Sequence, residues 1–251
     1  PSPTVNSPIE ADLDELPTLE EVEEALSHLK RNKACGEDQV PAELLQHGGS
    51  TLTKELHRVL IEIWEQERMP NEWKTGIITV LHKKGDTTIC DNYRGLSLLN
   101  TAYKVFSRIL FVRMEQAMSS LVGEYQAGFR KNRSTTDHLF TIRQIIQKCN
   151  EYDIDLHTMF IDFKKAYDSI KHEYIWRALE ELGLSQKCIR LVKVTLYGAN
   201  AKVKFCGTTS SSFPVNVGLR QGDGLSVLLF NLVLEHVMRK VLTRDQMKRT
   251  I

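Results

Sequence analysis

Apolar positions recur at helical spacing over much of this chain. Thr18 with Glu21 forms a reciprocal capping pair, and Leu19, Val22, Leu26 and Leu29 mark the helix behind it. Residues 30–38 read as a loop, and Pro41 suits the first turn of a short helix that Gly48-Gly49 ends. Ser50 is placed to cap the next helix, which carries Leu56, Val59, Leu60, Ile63 and Trp64 and stops before Pro70. From about Ala102 to Leu121 a longer helix carries Val105, Ile109, Val112 and Met118, with Lys104, Arg108 and Arg113 expected outward. Ser134 or Thr135 can cap a helix through about Cys149, apolar at Leu139, Ile142, Ile145 and Ile146. Another helix has Tyr174, Ile175, Ala178, Leu179 and Leu182 on one face and Gly183 past its end. Ser185 caps a further one (Ile189, Val192, Leu196), and an apolar helix runs from about Leu225 to Leu242.

Strand patterns fall between these. Trp73 to His82 holds Ile77, Ile78, Val80 and Leu81 in a short apolar run, and Gly85-Asp86 is a turn signal. Residues 91–95 read as a second loop, leading into Leu96, Leu98 and Leu99. Thr158 to Phe163 reads as a strand that delivers Asp162 to its end, before a turn with Lys164 and Lys165 and then Tyr167 and Asp168. Ala201, Val203 and Phe205 alternate with Lys202 and Lys204, and Phe213, Val215 and Val217 repeat that period. These two stretches should pair as a hairpin, with Pro214 at an edge or a strand end. Helices come first and then strands mixed with helices, so the expected class is α+β. The proline-spotted residues 1–17 read as a linker.

Composition narrows the class. A hydrophobic fraction of 41% and a charged fraction of 26% suit a soluble globular chain. No apolar run approaches the ~20 residues of a membrane span, and Leu225 to Met238 is broken by Asn231, Glu235 and His236. The acidic N-terminus is neither a signal nor a transit peptide. Lacking an initiating Met, the chain reads as a piece of something longer. Its five cysteines are scattered without the short spacings of a zinc or redox site, which points to reduced thiols inside a cell. The net charge of +1 hides an asymmetry: residues 1–25 hold eight acidic residues and no Lys or Arg. The rest carries 33 basic residues against the remaining 24 of 32 acidic ones, which suits a polyanion partner or simply a solvated surface.

Three stretches carry candidate chemistry. A carboxylate at the mouth of a buried strand is costly without a positive partner. For Asp162 that partner is either a metal ion such as Mg²⁺ or Lys164 or Lys165. Asp168, six residues on, reads more simply as a helix cap. The stretch Gly218 to Ser226 lets the backbone approach a ligand closely. With Arg220, Gln221 and a following helix N-terminus, it suits a nucleotide or a phosphate backbone; the plain alternative is a hairpin-to-helix connection. Lys83, Lys84 and Arg94 flank one loop, and Arg130, Lys131 and Arg133 sit in another, where Phe129 is placed to stack on a base. The eight histidines, His157, His172 and His236 among them, form no ligand pattern.

Read together, five strings resemble the reverse transcriptase domain of non-LTR (LINE-type) retrotransposons, from about Leu19 to the end. They are Tyr93-Arg94-Gly95-Leu96-Ser97-Leu98-Leu99, Gln126-Ala127-Gly128-Phe129-Arg130, Arg133-Ser134-Thr135, Asp162-Phe163-Lys164-Lys165-Ala166-Tyr167-Asp168 and Gln221-Gly222-Asp223-Gly224-Leu225-Ser226. The resemblance implies a right-hand polymerase with an antiparallel sheet packed on helices. Residues 18–135 would be mainly fingers and 136–251 mainly a partial palm, with fingers segments interleaved and the thumb missing. It implies that Asp162 and the Phe163 carbonyl bind metal, and that Tyr167 is the steric gate against a 2′-hydroxyl. Gln221 and Gly222 would lie against the template and the incoming base pair. Arg94, with Lys84 or Lys83, would hold the triphosphate, and Arg130 and Arg133 would touch the template. It implies two Mg²⁺ ions, an RNA template, a DNA primer and deoxynucleoside triphosphates. It also implies a larger polyprotein with an endonuclease, the rest of the palm and a thumb, no membrane partner, and nuclear action on target DNA. The chain departs from the family at Gly95, Gly224 and Val227, where many relatives have proline. It shows no aromatic-x-Asp-Asp string after Glu235, so residues 1–251 alone are expected to be inactive. The alternative is a non-catalytic nucleic-acid-binding remnant of a decayed or co-opted element.

Overall fold

The computed structural model describes residues 14–242. Helix α1 (Leu19–Ser27) begins with the capping box: Glu21 N donates to Thr18 Oγ1 at 3.2 Å, and Thr18 N donates to Glu21 Oε2 at 2.8 Å. Helices α2 (Ala42–His47) and α3 (Gly49–Gln66) follow. Gly48 rather than Ser50 stands at the start of α3, because the helix begins at Gly49, ahead of the serine. Trp73 is not in a strand: Pro70 leads into a single helical turn, α4 (Asn71–Lys74), and β1 runs Thr75–His82.

After a 3₁₀ turn at Cys90–Asn92, β2 (Tyr93–Leu98) takes up Arg94 and Gly95, which the turn-rich sequence placed in a loop. Gly95 pairs with Val80, and a Cβ there would lie 2.9 Å from the Ile78 side chain, so glycine keeps the two strands close. Helix α5 (Thr101–Leu121) follows. Ser134 caps α6 (Thr135–Glu151). The turn α7 (Ala166–Ser169), α8 (His172–Glu181) and α9 (Gln186–Leu196) come next. Then come β3 (Asn200–Phe205), β4 (Thr208–Thr209), β5 (Phe213–Pro214) and α10 (Gly224–Leu242).

The core lies among α1, α3, α5, α8, α9 and α10, where Val22, Leu60, Trp64, Phe106, Ile175, Ile189 and Leu225 are all buried. Each such side chain contributes about 1.5–3 kcal/mol on burial. The sheet packs beside these helices in the order β2-β1-β3-β4, with β5 also on β3. β3 pairs antiparallel with β5 through Asn200–Pro214 and Ala201–Phe213, which gives the expected hairpin with its proline at an edge. The sheet is mixed rather than antiparallel, because β1 and β3 run parallel from Thr75–Asn200 to Thr79–Lys204. That pairing spans more than a hundred residues, and local periodicity carries no sign of it.

Three further expectations change. Arg113 points inward: its guanidinium grips the Glu21 carboxylate twice at 2.6 Å, reaches the carbonyls of Glu15 and Leu16, and lies 4.9 Å from the Trp64 ring. It fastens residues 14–21 to α5. Lys104 is half-buried, and desolvation lowers its pKa. Most consequential, Thr158 to Phe163 forms no strand. It is extended coil, with Met159, Phe160 and Ile161 82%, 81% and 70% exposed. A strand is held by a neighbour that takes its N–H and C=O groups, and no described residue offers that ladder. Helix α6 shares this isolation, since none of its residues is buried. No described helix is long and apolar enough to cross a membrane.

Candidate functional site

The glycine-rich loop 218–224 lies between two walls. On one side it meets the turn at 167–170: Leu219 N donates to Tyr167 O at 2.8 Å, and Gly218 N donates to Ile170 O at 2.7 Å. Gly218 sits at φ +84°, and a Cβ there would come within 2.9 Å of the Asp168 carbonyl oxygen. Only glycine allows both the conformation and that approach. His172 adds a ring-nitrogen contact of 3.0 Å to the Gly218 carbonyl. On the other side Ser97 N, at the end of β2, donates to Gln221 O at 2.7 Å. Gly222 at φ +116° leaves no room for a Cβ against Ser97 O, 2.9 Å away.

This double attachment draws three separated stretches together. Arg94 Nε donates to Gln221 Oε1 at 3.0 Å, and Gln221 Nε2 donates to Asp168 Oδ1 at 2.7 Å. The line Arg94–Gln221–Asp168 runs beside a cleft of about 290 Å³ lined in part by Gly95, Ser97, Asp168, Gly218 and Gln221. Asp168 is therefore not a helix cap: it lies within the turn α7, and its carboxylate serves Gln221. A separate cavity of about 1070 Å³ between α8 and α10 contains none of the candidate site residues.

Beneath the loop sits a buried polar cluster in which Arg220, a candidate ligand contact by sequence, joins Tyr103 and Asp223, to which the sequence assigned no role. Tyr103 Oη donates to Asp223 Oδ2 at 2.7 Å, and Asp223 Oδ1 accepts from Leu225 N at 3.1 Å, capping α10. Arg220 lies 5.1 Å from the Tyr103 ring and donates from Nη2 to Lys74 O at 2.9 Å, while its Nη1 is buried without a partner. Burial, with the Asp223 charge second, raises the Tyr103 phenol well above its usual pKa, so it remains a donor at any physiological pH. The available sequence signal for Asp223 was its place one residue ahead of an apolar helix, where an N-cap belongs.

Tyr167 stacks on Phe230 with ring centroids 4.8 Å apart, and its hydroxyl is buried without a partner. Burial raises its pKa. Lys83 and Lys84 are exposed on the turn between β1 and β2. Lys165 pairs with Asp91 at 2.6 Å rather than with Asp162. Asp162 and Phe163 lie in the exposed 158–163 stretch, and no hydrogen bond or ion pair joins Asp162 to a described residue.

In the basic loop, Arg130 Nη1 donates to the carbonyls of Gly123 and Gln126 at 2.7 and 3.1 Å, and Arg133 pairs with Glu124. Phe129 and Asn132 adopt left-handed backbone conformations at φ +54° and +59°. The polar residues that interrupt α10 reach this loop. Asn231 bonds Gln126 and Gly128, and Glu235 bonds Gly123 and Tyr125. An Asn and a Glu four apart in an apolar helix were the visible signal.

The mixed helix-and-sheet fold thus brings the glycine loop, Arg94 and Gln221 together beside one cleft, an arrangement that suits a phosphate-bearing ligand. The reverse transcriptase (RNA-dependent DNA polymerase) family model matches residues 81–249, about two thirds of the chain. The chain belongs to that family, in the branch carried by non-LTR, LINE-type retrotransposons. It is 28% identical over 229 residues to the "Transposon TX1 uncharacterized 149 kDa protein" of Xenopus laevis, covering 90% of this chain and 18% of that protein. It is 28% identical over 215 residues to a "Probable RNA-directed DNA polymerase from transposon X-element" of Drosophila melanogaster, covering 84% and 24%. It is 26% identical over 218 residues to the "RNA-directed DNA polymerase from mobile element jockey" of the same fly, covering 86% and 24%. The chain thus spans about a fifth to a quarter of the length of these relatives.

Proposed function

We propose that this chain forms the nucleotide- and template-facing part of an RNA-directed DNA polymerase, with the fingers and a partial palm of a right-hand fold. The observation that carries this reading is the Arg94–Gln221–Asp168 line, which joins β2, the glycine loop and the 167–170 turn at one cleft. In it, Gln221 and Gly222 lie against the template and the incoming base. Arg94, with Lys84 or Lys83, faces the triphosphate as fork and point charge. Tyr167, anchored beneath the loop, excludes a nucleotide bearing a 2′-hydroxyl. Arg130 and Arg133 belong to the template side. The partners are an RNA template, a DNA primer and deoxynucleoside triphosphates. The setting is a larger polyprotein that acts on target DNA in the nucleus.

Reverse transcriptases in general use divalent metal ions, which activate the attacking 3′-hydroxyl and neutralise the leaving pyrophosphate. The described residues do not fit a two-ion site. Asp162 and the Phe163 carbonyl stand in an exposed stretch, and no three His, Cys, Asp or Glu side chains gather anywhere among the described residues. What this chain's own residues do is bind and orient.

Binding of an RNA template annealed to a DNA primer tests the reading. Affinity should fall as salt rises, and Arg94→Ala together with Gln221→Ala should weaken it roughly tenfold. Absence of salt-dependent binding would overturn the proposal. Primer extension by residues 1–251 with Mg²⁺ and deoxynucleotides should give negligible product, and robust product would mean that Asp162 acquires acidic partners that the described arrangement does not provide.

A further inference from the structure

The loop at 123–133 is held by α10 in a way that the polymerase reading leaves unused. Asn231 and Glu235 lie about one helical turn apart, each at most 2% exposed. Glu235 Oε2 accepts from Gly123 N at 3.1 Å and from Tyr125 Oη at 2.7 Å, and its Oε1 accepts from Arg239 Nε at 2.8 Å. Asn231 Oδ1 accepts from Gln126 Nε2 at 3.0 Å, and its Nδ2 donates to Gly128 O at 3.1 Å. Arg130 closes the same loop from within by donating to the Gly123 and Gln126 carbonyls.

Both named arginines are therefore engaged in the loop itself, Arg133 through Glu124. The groups that face outward include the Phe129 ring, 76% exposed, and the Lys131 ammonium, beside the exposed Glu124 carboxylate that pairs with Arg133. The left-handed backbone at Phe129 and Asn132 is costly for non-glycine residues and persists only where surroundings enforce it. Beside these residues lies a cavity of about 290 Å³ shared with Phe111, Gln116 and the acidic Glu115 of α5.

On the template-side role given to this loop above, we propose that Asn231 and Glu235 are positioning residues. They set the loop so that Phe129 and Lys131 form a docking platform for single-stranded RNA. An exposed ring offers a face to an unpaired base of any sequence, and the ammonium meets the adjacent phosphate. Arg130 is, in this arrangement, part of the frame rather than a phosphate contact.

The test is fluorescence anisotropy with a labelled, unstructured RNA oligomer and the 251-residue chain, over a salt series. Phe129→Ala should weaken binding on the order of tenfold. Lys131→Ala should lower the salt slope by about 0.7. Asn231→Ala should weaken binding about as much as Phe129→Ala, and the double variant should be little worse than either single one. That non-additivity is a readout that a general loss of stability does not produce. Glu235→Gln, which keeps an oxygen for Gly123 and Tyr125, should retain most of the affinity that Glu235→Leu loses. It also keeps the test open if Asn231→Ala fails to fold. If Phe129→Ala weakens binding while Asn231→Ala has no effect or adds in full, the positioning role is wrong and the template-side role stands. If Phe129→Ala, Lys131→Ala and the Arg130→Ala, Arg133→Ala pair all bind RNA like the parent, the template-side role itself fails, and this proposal with it.

Discussion

The glycine loop and the stretch that leads to Asp162 are built in opposite ways. The 218–224 loop has almost no apolar content, yet it is fixed on both sides. Its backbone bonds to Tyr167, Ile170 and Ser97, and Tyr103, Asp223 and Arg220 are buried below. The 158–163 stretch is mostly apolar, yet it joins no strand among the described residues, and Met159, Phe160 and Ile161 face water. Hydrophobic content does not decide which stretch is bonded in place. Hydrogen-bonding partners do, because backbone groups that leave water must be paired.

The largest expected contrast is in amide hydrogen exchange. Ser97, Gly218 and Leu219 donate to protein carbonyls at 2.7–2.8 Å and should exchange on the order of a thousandfold more slowly than the amides of Met159 to Phe163. Equal rates in the two stretches would erase the comparison. Next is the anchor itself. Asp223→Ala removes the acceptor for a buried phenol and the cap of α10, and should cost about 2–4 kcal/mol in urea unfolding. Tyr103→Phe keeps the shape and should cost less, about 1–2 kcal/mol. Gly218→Ala meets both a positive φ and the Asp168 carbonyl and should cost about 1–3 kcal/mol.

Acid should separate the regions more gently. Burial pushes the Glu235 carboxyl up, but bonds from Arg239, Tyr125 and Gly123 outweigh it and leave the pKa below its usual 4.5. Glu21 behaves alike: burial opposes, and Arg113 and Thr18 prevail. A carboxyl depressed on folding adds stability that is present above its unfolded pKa and lost as pH falls through the folded one. Stability should therefore decline below about pH 4.5. Glu235→Gln should make that decline shallower in denaturant titrations repeated from pH 7 downward. An unchanged slope would mean that the carboxylate contributes nothing through these bonds.

Much of the fold was legible because it is local. The Thr18–Glu21 box, the Ser134 and Ser185 caps, the β3–β5 hairpin and its edge proline all follow from neighbours within a few residues. What escaped was non-local. Arg113 reads as a surface cation until Glu21, 92 residues away, is known to meet it. The parallel β1–β3 pair needs two strands over a hundred residues apart. Asp168 reads as a cap until Gln221 arrives from 53 residues on. At the site, the sequence singled out Arg94 and Gln221, but it read Asp168 as a cap and left out Tyr103, because a single polar residue on a helix carries no periodic signal. The strand expected at 158–163 failed for the same reason in reverse: its own pattern is strand-like, but the pairing partner is not something a pattern contains.

The smallest effect is the sharpest check on that account. Ile161→Ser places a hydroxyl where the structure has an exposed apolar side chain, 70% accessible and outside any ladder. If the stretch is unpaired, the change removes no packing and buries no polar group, so unfolding free energy should move by less than about 0.5 kcal/mol. Buried isoleucine in a paired strand behaves differently: losing its methyls and burying a hydroxyl costs about 2–5 kcal/mol. The two outcomes do not overlap. A large loss in urea unfolding would mean that 158–163 finds a partner in solution and carries Asp162 on a fixed edge. A negligible one leaves Asp162 on a mobile tether, where a carboxylate contributes charge but no geometry, while the loop at 218–224 keeps both.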